Sequence, residues 1–246
     1  MNKLLQDKVA VVTGGSQGLG LAIAGALAID GARVLLVSRQ EDKLKSAVSK
    51  IEKLAGLEGG AAGYAADITL PETADKALRE AVSKFGKVDI VVNSAGVFVW
   101  KKFLNLTLDD WQRTLNTNLS APFFLTQAAA KLMVEQGSGG CIINITSIHG
   151  SVGDPNVVAH CASKFGLEGL TQACAEALRE FDIRVNAIAP GAIEEDSGDR
   201  RGKSPQQKVT QADVATLVVY LASDLARSVT GATIQAFGNT RMVIKT

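Results

Sequence analysis

The chain has few of the residues that bind metals or form disulfides. Its 246 residues include three cysteines and two histidines. Cys141, Cys161 and Cys174 show no Cys-x-x-Cys spacing, and their number is odd. We therefore expect neither a disulfide framework nor a metal site. Free thiols are typical of a reducing compartment, which predicts a cytoplasmic protein.

Excess charge and long apolar runs are also missing. The 26 basic and 25 acidic residues leave a net charge of +1, with no basic patch that would favour nucleic acid or an anionic membrane. No apolar stretch approaches the roughly 18 residues of a membrane span. The segment 1–15 has only a short apolar run before glycines, which is not a signal-peptide core. The sequence thus predicts no nucleic-acid partner and no membrane partner.

Short apolar runs alternate instead with longer amphipathic stretches. The apolar runs lie at 9–13, 32–38, 61–67, 87–96, 140–147, 182–191 and 232–237. The helical patterns lie at about 18–30, over a charged stretch that ends near 54, over a stretch that begins at Pro71, and at about 108–135, 157–180 and 212–223. Continuous Val/Ile/Leu runs are typical of strands buried on both faces of a parallel sheet. The pattern predicts a doubly wound α/β fold with seven parallel strands and helices on both faces.

Nothing in the sequence divides the chain. It has neither a Pro/Ser-rich linker nor an internal repeat, so we predict a single domain over residues 1–246. The polar stretch 194–208 lacks a helical pattern and is predicted to be a mobile loop.

A glycine-rich turn separates the first apolar run from the first helical pattern. In TGGSQGLG (13–20), Gly14, Gly18 and Gly20 are spaced G-x-x-x-G-x-G. A turn this tight requires residues without Cβ, and the following helix then points free N–H groups at a diphosphate. The spacing is not G-x-G-x-x-G, and the Gly-Lys-Ser/Thr of a nucleoside triphosphate loop is missing. A plain strand–helix turn is the alternative interpretation, and the loop alone does not decide between the two.

Further motifs follow this turn in order along the chain. They are NSAG at 93–96, Asn118 in NTNLS, Ser147, Lys164, and PG at 190–191. With this set the chain resembles the short-chain dehydrogenase/reductase family, particularly its β-ketoacyl carrier-protein reductases, from about residue 8 to about residue 238. The resemblance implies a Rossmann fold, a nicotinamide cofactor and a small-molecule carbonyl or alcohol substrate. It also implies a homodimer or homotetramer, which apolar residues on several faces of the two long helical patterns support.

The end of the second apolar run bears on the choice of cofactor. By the resemblance, relatives that use NAD carry an aspartate at the place of Ser38, and its carboxylate would repel a 2′-phosphate. Ser38 leaves room for that phosphate and Arg39 offers it a charged donor, which predicts NADP(H) over NAD(H). A solvated surface arginine is the alternative interpretation of Arg39.

The resemblance assigns the remaining cofactor contacts residue by residue. Asp67 would accept a hydrogen bond from the adenine amino group, or serve only as an N-cap or loop aspartate, and Ile193 would offer its amide to the nicotinamide. The full predicted set is Gly14, Ser16, Gly18, Leu19, Gly20, Ser38, Arg39, Asp67, Ile68, Asn93, Ala95, Gly96, Lys164, Pro190, Gly191 and Ile193.

The catalytic positions implied by the resemblance are Asn118, Ser147, His160 and Lys164, and His160 is unusual. The family has its proton-donating tyrosine at this place. Positions 160 and 164 are i and i+4 and share one face of a helix. A lysine cation lowers the pKa of a neighbouring tyrosine, but it also favours the neutral form of an imidazole, which is a poor acid.

Two hypotheses about function therefore remain open. In the first, the protein is an NADP(H)-dependent oxidoreductase that reduces a carbonyl or oxidises a secondary alcohol, with His160 as a weak proton donor. In the second, it binds the dinucleotide with little or no turnover, as a sensor or partner subunit, and His160 is a spectator. The glycine turn, Ser147 and Lys164 favour the first hypothesis. The histidine, Glu195 and the short stretch 191–211 favour the second.

Overall fold

Residues 3–193 and 209–238 are described by the computed structural model. Seven strands form one sheet in the order β3-β2-β1-β4-β5-β6-β7, and every neighbouring pair is parallel. The strands are β1 Val9–Thr13, β2 Arg33–Ser38, β3 Ala61–Ala65, β4 Ile90–Asn93, β5 Gly140–Ile145, β6 Ile183–Pro190 and β7 Thr233–Ala236. The predicted doubly wound fold is confirmed, and each strand lies within the apolar run that predicts it.

Helices cover both faces of the sheet. They are α1 Gly18–Ile29, α2 Glu41–Ala55, α3 Pro71–Phe85, α4 Leu108–Leu115, α5 Ala121–Gln136, α6 Val158–Ala177 and α7 Gln211–Ala222. Alternate residues of β1 enter two separate cores: Ala10 and Val12 pack with α1, α2 and α7, whereas Val9 and Val11 pack with α3, α5 and α6. Burial on both faces explains why the strands are continuous apolar runs.

The prediction of one continuous helix over 108–135 is wrong in one respect. The helix α4 ends at Leu115, and the backbone widens into a π-helical segment, Asn116–Ser120, before α5 begins. Such segments insert extra backbone into a helix and are frequent at functional sites. Here the segment contains the fully buried Asn118. The helix predicted over 157–180 likewise ends early, at Ala177, and a 3₁₀ turn follows at Arg179–Phe181.

Parts of the sequence interpretation fall beyond the described residues. The predicted mobile loop 194–208, which includes Glu195, lies outside them. A single domain over 1–246 accordingly stays a prediction, although all described strands belong to one sheet. Over the described ranges, no helix combines the length and apolarity needed to cross a membrane.

Candidate active site

Two loops meet at the carboxyl ends of β1 and β4. The Thr13 hydroxyl, at the end of β1, accepts the backbone N–H groups of Ser94 and Ala95 at 3.1 and 3.2 Å. Gly14 then turns away with a φ of 68°, and a Cβ on it would lie 3.0 Å from the Ala95 Cα. The two loops therefore approach backbone to backbone, which requires glycine at position 14.

The same turn places the start of α1 against the cleft. A Cβ on Gly20 would overlap the carbonyl oxygen of Gly14. The N-cap residue Gln17 makes no side-chain capping bond, so the first N–H groups of α1 stay available to a ligand. The Cβ position of Gly18 has no other atom within 4 Å. This open space in front of a helix N-terminus suits an anionic group such as a diphosphate.

A cleft of about 380 Å³ opens along these loops. Most of the predicted cofactor residues line it, namely Gly14, Ser16, Gly18, Leu19, Gly20, Ser38, Arg39, Asp67, Ile68, Ala95 and Gly96. The lining also includes residues that sequence reasoning missed: Gln17, Val37, Ala66, Thr69, Ser94, Val97, Arg113 and Thr117. The volume lies within the range of small-molecule sites, and the residue types fit the adenosine end of a dinucleotide.

Asn93 is predicted to line this cleft, and the structure corrects that assignment. Its side chain is buried and donates hydrogen bonds to Asn144 Oδ1 at 2.8 Å and to Thr126 Oγ1 at 3.3 Å. Successive residues of a strand point to opposite faces, so the last residue of β4 turns its side chain toward α5. Asn93 therefore links β4, β5 and α5 inside the core.

Four other predicted contacts lie beyond the lining of this cleft. Pro190 ends β6, and the Gly191 N–H donates to the Ala236 carbonyl at 2.9 Å. Ile193 forms an isolated bridge with Val209. These residues and Lys164 lie toward β5 and β6, where the resemblance places the nicotinamide.

Hydroxyls and cations gather at the end of β2. The Ser16 and Ser38 hydroxyls are 2.8 Å apart, and exposed Arg39 follows. The backbone N–H of Thr69 is the main cause that lowers the pKa of Asp67, and the charge of Arg39 adds to it. The Arg39 guanidinium therefore acts on the same edge of the cleft as Asp67.

The side chain of Asn118 fixes the loop that follows β4. Its Oδ1 accepts the Val97 N–H at 2.8 Å, and its Nδ2 donates to the Val97 carbonyl at 3.0 Å. The same Nδ2 donates to Ser163 Oγ at 3.1 Å. The loop is thus held to the π-helical segment and to α6 by one amide group.

His160 lies directly against this amide. Its Nδ1 is 3.4 Å from both the Val97 carbonyl and the Asn118 Nδ2. Both Asn118 hydrogens already have acceptors, Val97 and Ser163. The bonding pattern therefore assigns the proton to Nδ1, which donates to Val97, and leaves Nε2 as an acceptor.

Lys164 and Ser147 complete the constellation. Lys164 is buried, and its ammonium donates to the Ile145 carbonyl at 2.8 Å. The Ser147 hydroxyl accepts the backbone N–H of His149 at 3.2 Å. Its own proton therefore remains available for a substrate oxygen.

Burial sets the protonation of both basic groups. It lowers the pKa of His160 to about 4, and the Lys164 charge lowers it further as a smaller cause. Burial also lowers the pKa of Lys164 to about 8. From the sequence we expect Lys164 to keep His160 neutral, whereas burial is the larger cause in the structure. At neutral pH the imidazole is uncharged and most of the lysine is protonated.

Aromatic rings surround His160, and sequence reasoning missed them. Phe98 packs edge-to-face on it with ring centroids 4.8 Å apart. The His149 ring lies 5.8 Å from His160 at an interplanar angle of 82°. Phe98 and Trp100 are 54% and 65% exposed, which is unusual for such large apolar side chains. The available signal was that His149, one of only two histidines, follows Ser147 by two positions.

Comparisons with known proteins agree with this geometry. Residues 8–206 match the family model for short chain dehydrogenases. The chain belongs to the short-chain dehydrogenase family. It is 38% identical to the L-rhamnose 1-dehydrogenase (NAD(P)+) of Azotobacter vinelandii, over 96% of this chain and 97% of that one. It is 34% identical to the 3-oxoacyl-acyl-carrier-protein reductase of Aquifex aeolicus, over 95% and 97%.

A solved member of the short-chain dehydrogenase family has the same fold. The crystal structure of a short-chain type dehydrogenase/reductase from Mycobacterium marinum matches with a TM-score of 0.89 and 32% identity, over 98% of each chain. The family resemblance predicted from the motifs is confirmed, and reductases of the β-ketoacyl type are among the relatives. The described site of this short-chain dehydrogenase thus has two parts: a glycine-lined cleft, and the buried side chains of Asn118, His160 and Lys164.

Proposed function

We propose that this short-chain dehydrogenase is an NADP(H)-dependent oxidoreductase that reduces a carbonyl or oxidises a secondary alcohol through an active site modified at His160. The observation that carries the proposal is the continuous cleft from the glycine turn to Ser38 and Arg39. A bound nicotinamide cofactor would supply or accept the hydride. The residues of the chain bind the cofactor, orient the substrate, and donate or accept the proton.

The preference for NADP(H) rests on the end of β2. A 2′-phosphate there would meet the paired hydroxyls of Ser16 and Ser38 and the guanidinium of Arg39. Lys43, bonded to Gln17 Oε1 at 2.8 Å, adds a second cation at the rim. Neutral hydroxyls and cations favour a phosphate dianion, whereas an acidic side chain would repel it.

Each catalytic position has a role that its contacts support. Ser147 offers its hydroxyl proton to the substrate oxygen, and Lys164 provides a positive charge and a donor for the ribose hydroxyls. Asn118 holds the Val97 loop in place. By its spacing in the sequence, 13 residues after Ser147 and four before Lys164, His160 stands at the position of the proton donor.

A second candidate function is a dinucleotide-binding protein with little or no turnover, acting as a sensor or partner subunit. The observation that favours it is again His160. Burial lowers the pKa of this imidazole to about 4, so only a small fraction carries a transferable extra proton at neutral pH. A missing general acid typically lowers a rate by ~10²–10⁴.

We also propose that the protein forms a homodimer or homotetramer through the helices of the α4–α5 and α6 regions. Phe123 and Val134 on α5 are 40% and 39% exposed, and Phe165 on α6 is 48% exposed. Apolar side chains of this size on neighbouring helices are typical of subunit contacts. Light scattering at micromolar concentration checks this, and a monomer would contradict it.

One experiment tests the proposed function against its alternative. NADPH and NADH are titrated by fluorescence, and NADPH oxidation and NADP⁺ reduction are followed on a panel of ketones, β-ketoacyl thioesters, secondary alcohols and sugars. Tighter binding of NADPH together with turnover is the expected result. Tight binding without turnover in either direction favours the binding-protein function. Absence of nucleotide binding contradicts both.

A further inference from the structure

Both histidines of the chain lie at the candidate active site. His149 follows Ser147 in the 3₁₀ turn Ile148–Gly150, and His160 lies in the first turn of α6. Their rings are 5.8 Å apart and nearly perpendicular. Phe98 contacts both rings, at 4.8 Å from His160 and 6.4 Å from His149. The two imidazoles and the Phe98 ring therefore form one cluster, and the His149 backbone N–H joins the Ser147 hydroxyl to the same turn.

The contacts of His160 make it a poor source of protons. Its Nδ1 hydrogen is directed at the Val97 carbonyl, since the Asn118 amide has no third hydrogen to donate. The remaining nitrogen, Nε2, then has a lone pair rather than a hydrogen. The ring is also 7% exposed, so a second proton would place a charge in a buried site next to Lys164.

The surroundings of His149, unlike those of His160, favour a second proton on the ring. Its side chain is half-buried, and its Nε2 is 3.9 Å from the Asp154 carboxylate, an ion pair when the ring is protonated. Asp154 is itself held by the turn it forms, since its Oδ1 accepts the Asn156 N–H at 2.8 Å. A second proton on His149 therefore meets a fixed anion and has access to water.

Among the described residues, the ion pair that the structure gives the His149 ring is the one with Asp154. On its own loop the charged group is Asp154, and the segment after β4 contributes the uncharged ring of Phe98. The titratable side chains of α6 on this side of the helix are His160, Cys161, Lys164 and Glu168. Among these groups, Asp154 is the anion that the structure pairs with the ring.

We propose that His149, paired with Asp154, is the acid–base residue of this active site, and that neutral His160 accepts the hydrogen bond of the alcohol hydroxyl at its Nε2. This inference rests on the proposed oxidoreductase function. It separates two tasks that one tyrosine performs in the family: contact with the oxygen, and delivery of the proton.

The chemical step balances with these groups. In reduction the carbonyl carbon gains a hydride from the reduced nicotinamide cofactor, the π electrons of the C=O bond move onto the oxygen, and that oxygen takes the proton from the His149 imidazolium. The neutral His149 that remains regains a proton from solvent beside Asp154. In oxidation the carbinol carbon gives its hydride to the oxidised cofactor, and the same ring, starting neutral, accepts the hydroxyl proton of the alcohol.

The kinetic test compares the wild type with His149→Asn, Asp154→Asn and Ser151→Ala. Reduction is measured with NADPH and the best ketone of the panel from pH 5 to 9. His149→Asn is expected to lower kcat about 100-fold, to flatten the pH profile and to leave the NADPH Kd unchanged. Added imidazole should restore part of its rate, which a purely structural defect would not allow.

The other two variants sharpen the test. Asp154→Asn keeps the Oδ1 acceptor of the turn but removes the anion beside the ring, so kcat should fall as in His149→Asn but by a smaller factor. Ser151→Ala, an exposed position two residues after His149, is the matched control and should behave as wild type. A His149→Asn enzyme with the rate and pH profile of the wild type would overturn the inference.

A second readout does not depend on turnover. Because the chain has two histidines, ¹H–¹⁵N spectra of the imidazoles contain two sets of signals, which His149→Asn assigns. From pH 8 to pH 5 the His160 signals should keep the positions of a neutral ring with its hydrogen on Nδ1. Imidazolium positions for His160 in this range overturn the inference, because that ring would then be the available acid. A wild type that binds NADPH but reduces no substrate overturns the proposed function instead.

Discussion

The glycine-lined end and the catalytic end of the site consist of different kinds of groups. At the adenosine end, backbone atoms and small side chains form the walls, and Gly14 and Gly20 are fixed by close approach to neighbouring backbone. At the catalytic end, longer side chains bind main-chain carbonyls: Asn118 and His160 lie against that of Val97, and Lys164 donates to that of Ile145. By the family resemblance, we expect the first end to follow the common pattern and the second to depart from it at His160.

The difference shows where a substitution is tolerated. A Cβ at position 20 collides with main chain that cannot move. An imidazole at position 160 finds a carbonyl partner and an aromatic neighbour, Val97 and Phe98, and is accommodated. A site can therefore keep the geometry that binds a dinucleotide while its proton chemistry changes.

The largest effect is expected at position 160. His160→Tyr should raise NADPH oxidation on a responsive ketone by about 100-fold near neutral pH, because the Lys164 ammonium lowers the pKa of a neighbouring phenol. His160→Phe removes the ring nitrogens and should lower the rate below wild type. Rates are measured from pH 5 to 9 for all three proteins. Equal rates for wild type and His160→Phe would mean that His160 is a spectator.

The next effect concerns the glycine turn. Gly20→Ala forces Cβ against the Gly14 carbonyl, and overpacking of this kind costs ~1–3 kcal/mol, which corresponds to as much as about 100-fold in NADPH affinity. Gly25→Ala on the same helix is the matched control, since its Cβ would lie 4.0 Å from Leu54 Cδ1. It should leave affinity unchanged. Similar NADPH dissociation constants for the two variants would refute this account of the turn.

A smaller effect is expected from the cation at the end of β2. Arg39→Ala should weaken NADPH binding by roughly 10- to 100-fold and leave NADH binding unchanged, because a charge-assisted bond to the 2′-phosphate contributes ~1.5–3 kcal/mol. Lys43→Ala removes the same charge at the rim and should cost less. Titrations of both nucleotides against each variant test this. An unchanged NADPH/NADH ratio in Arg39→Ala would remove the basis for NADP(H) preference.

The smallest effect is on stability. The pKa of His160 is lowered to about 4 by burial, whereas an unfolded chain has a histidine pKa of about 6.5. The unfolded state therefore binds a proton first as the pH falls, and the folded state loses stability between these values, by about 2 kcal/mol at pH 5. Urea unfolding at pH 7.5 and 5 should show this loss in wild type and not in His160→Phe. Equal losses in both proteins would contradict the lowered pKa.

The sequence predicts those features that follow from the spacing of apolar residues and from the places where the backbone leaves no room for a Cβ. Continuous runs such as Val9–Thr13 have to be buried on both faces, which determines the sheet. The glycine spacing predicts a tight turn because Gly14 and Gly20 leave no room for Cβ. These constraints are local, so they are visible in the order of residues.

Other features depend on which face of an element meets the cleft, and the order of residues does not contain that information. Asn93 belongs to a recognised motif, but strand alternation turns its side chain into the core. Arg113 lines the cleft from α4, and His149 enters the site from a short turn whose direction depends on Asp154 and α6. The helical pattern of the sequence is continuous through Asn118, whereas the backbone there forms a π-helical segment. Tertiary hydrogen bonds stabilise that segment, so the order of residues does not reveal it.

The Asn118 amide pairs with both main-chain groups of Val97, as a neighbouring strand would. The exposed aromatic side chains Phe98 and Trp100 follow immediately, so their orientation is set by a helix on the other side of the loop. The loop after β4 and the π-helical segment Asn116–Ser120 are therefore expected to move together. A change in the pitch of Asn116–Ser120 would be transmitted as a displacement of the Phe98 ring, and with it of the His160 imidazole on which that ring packs.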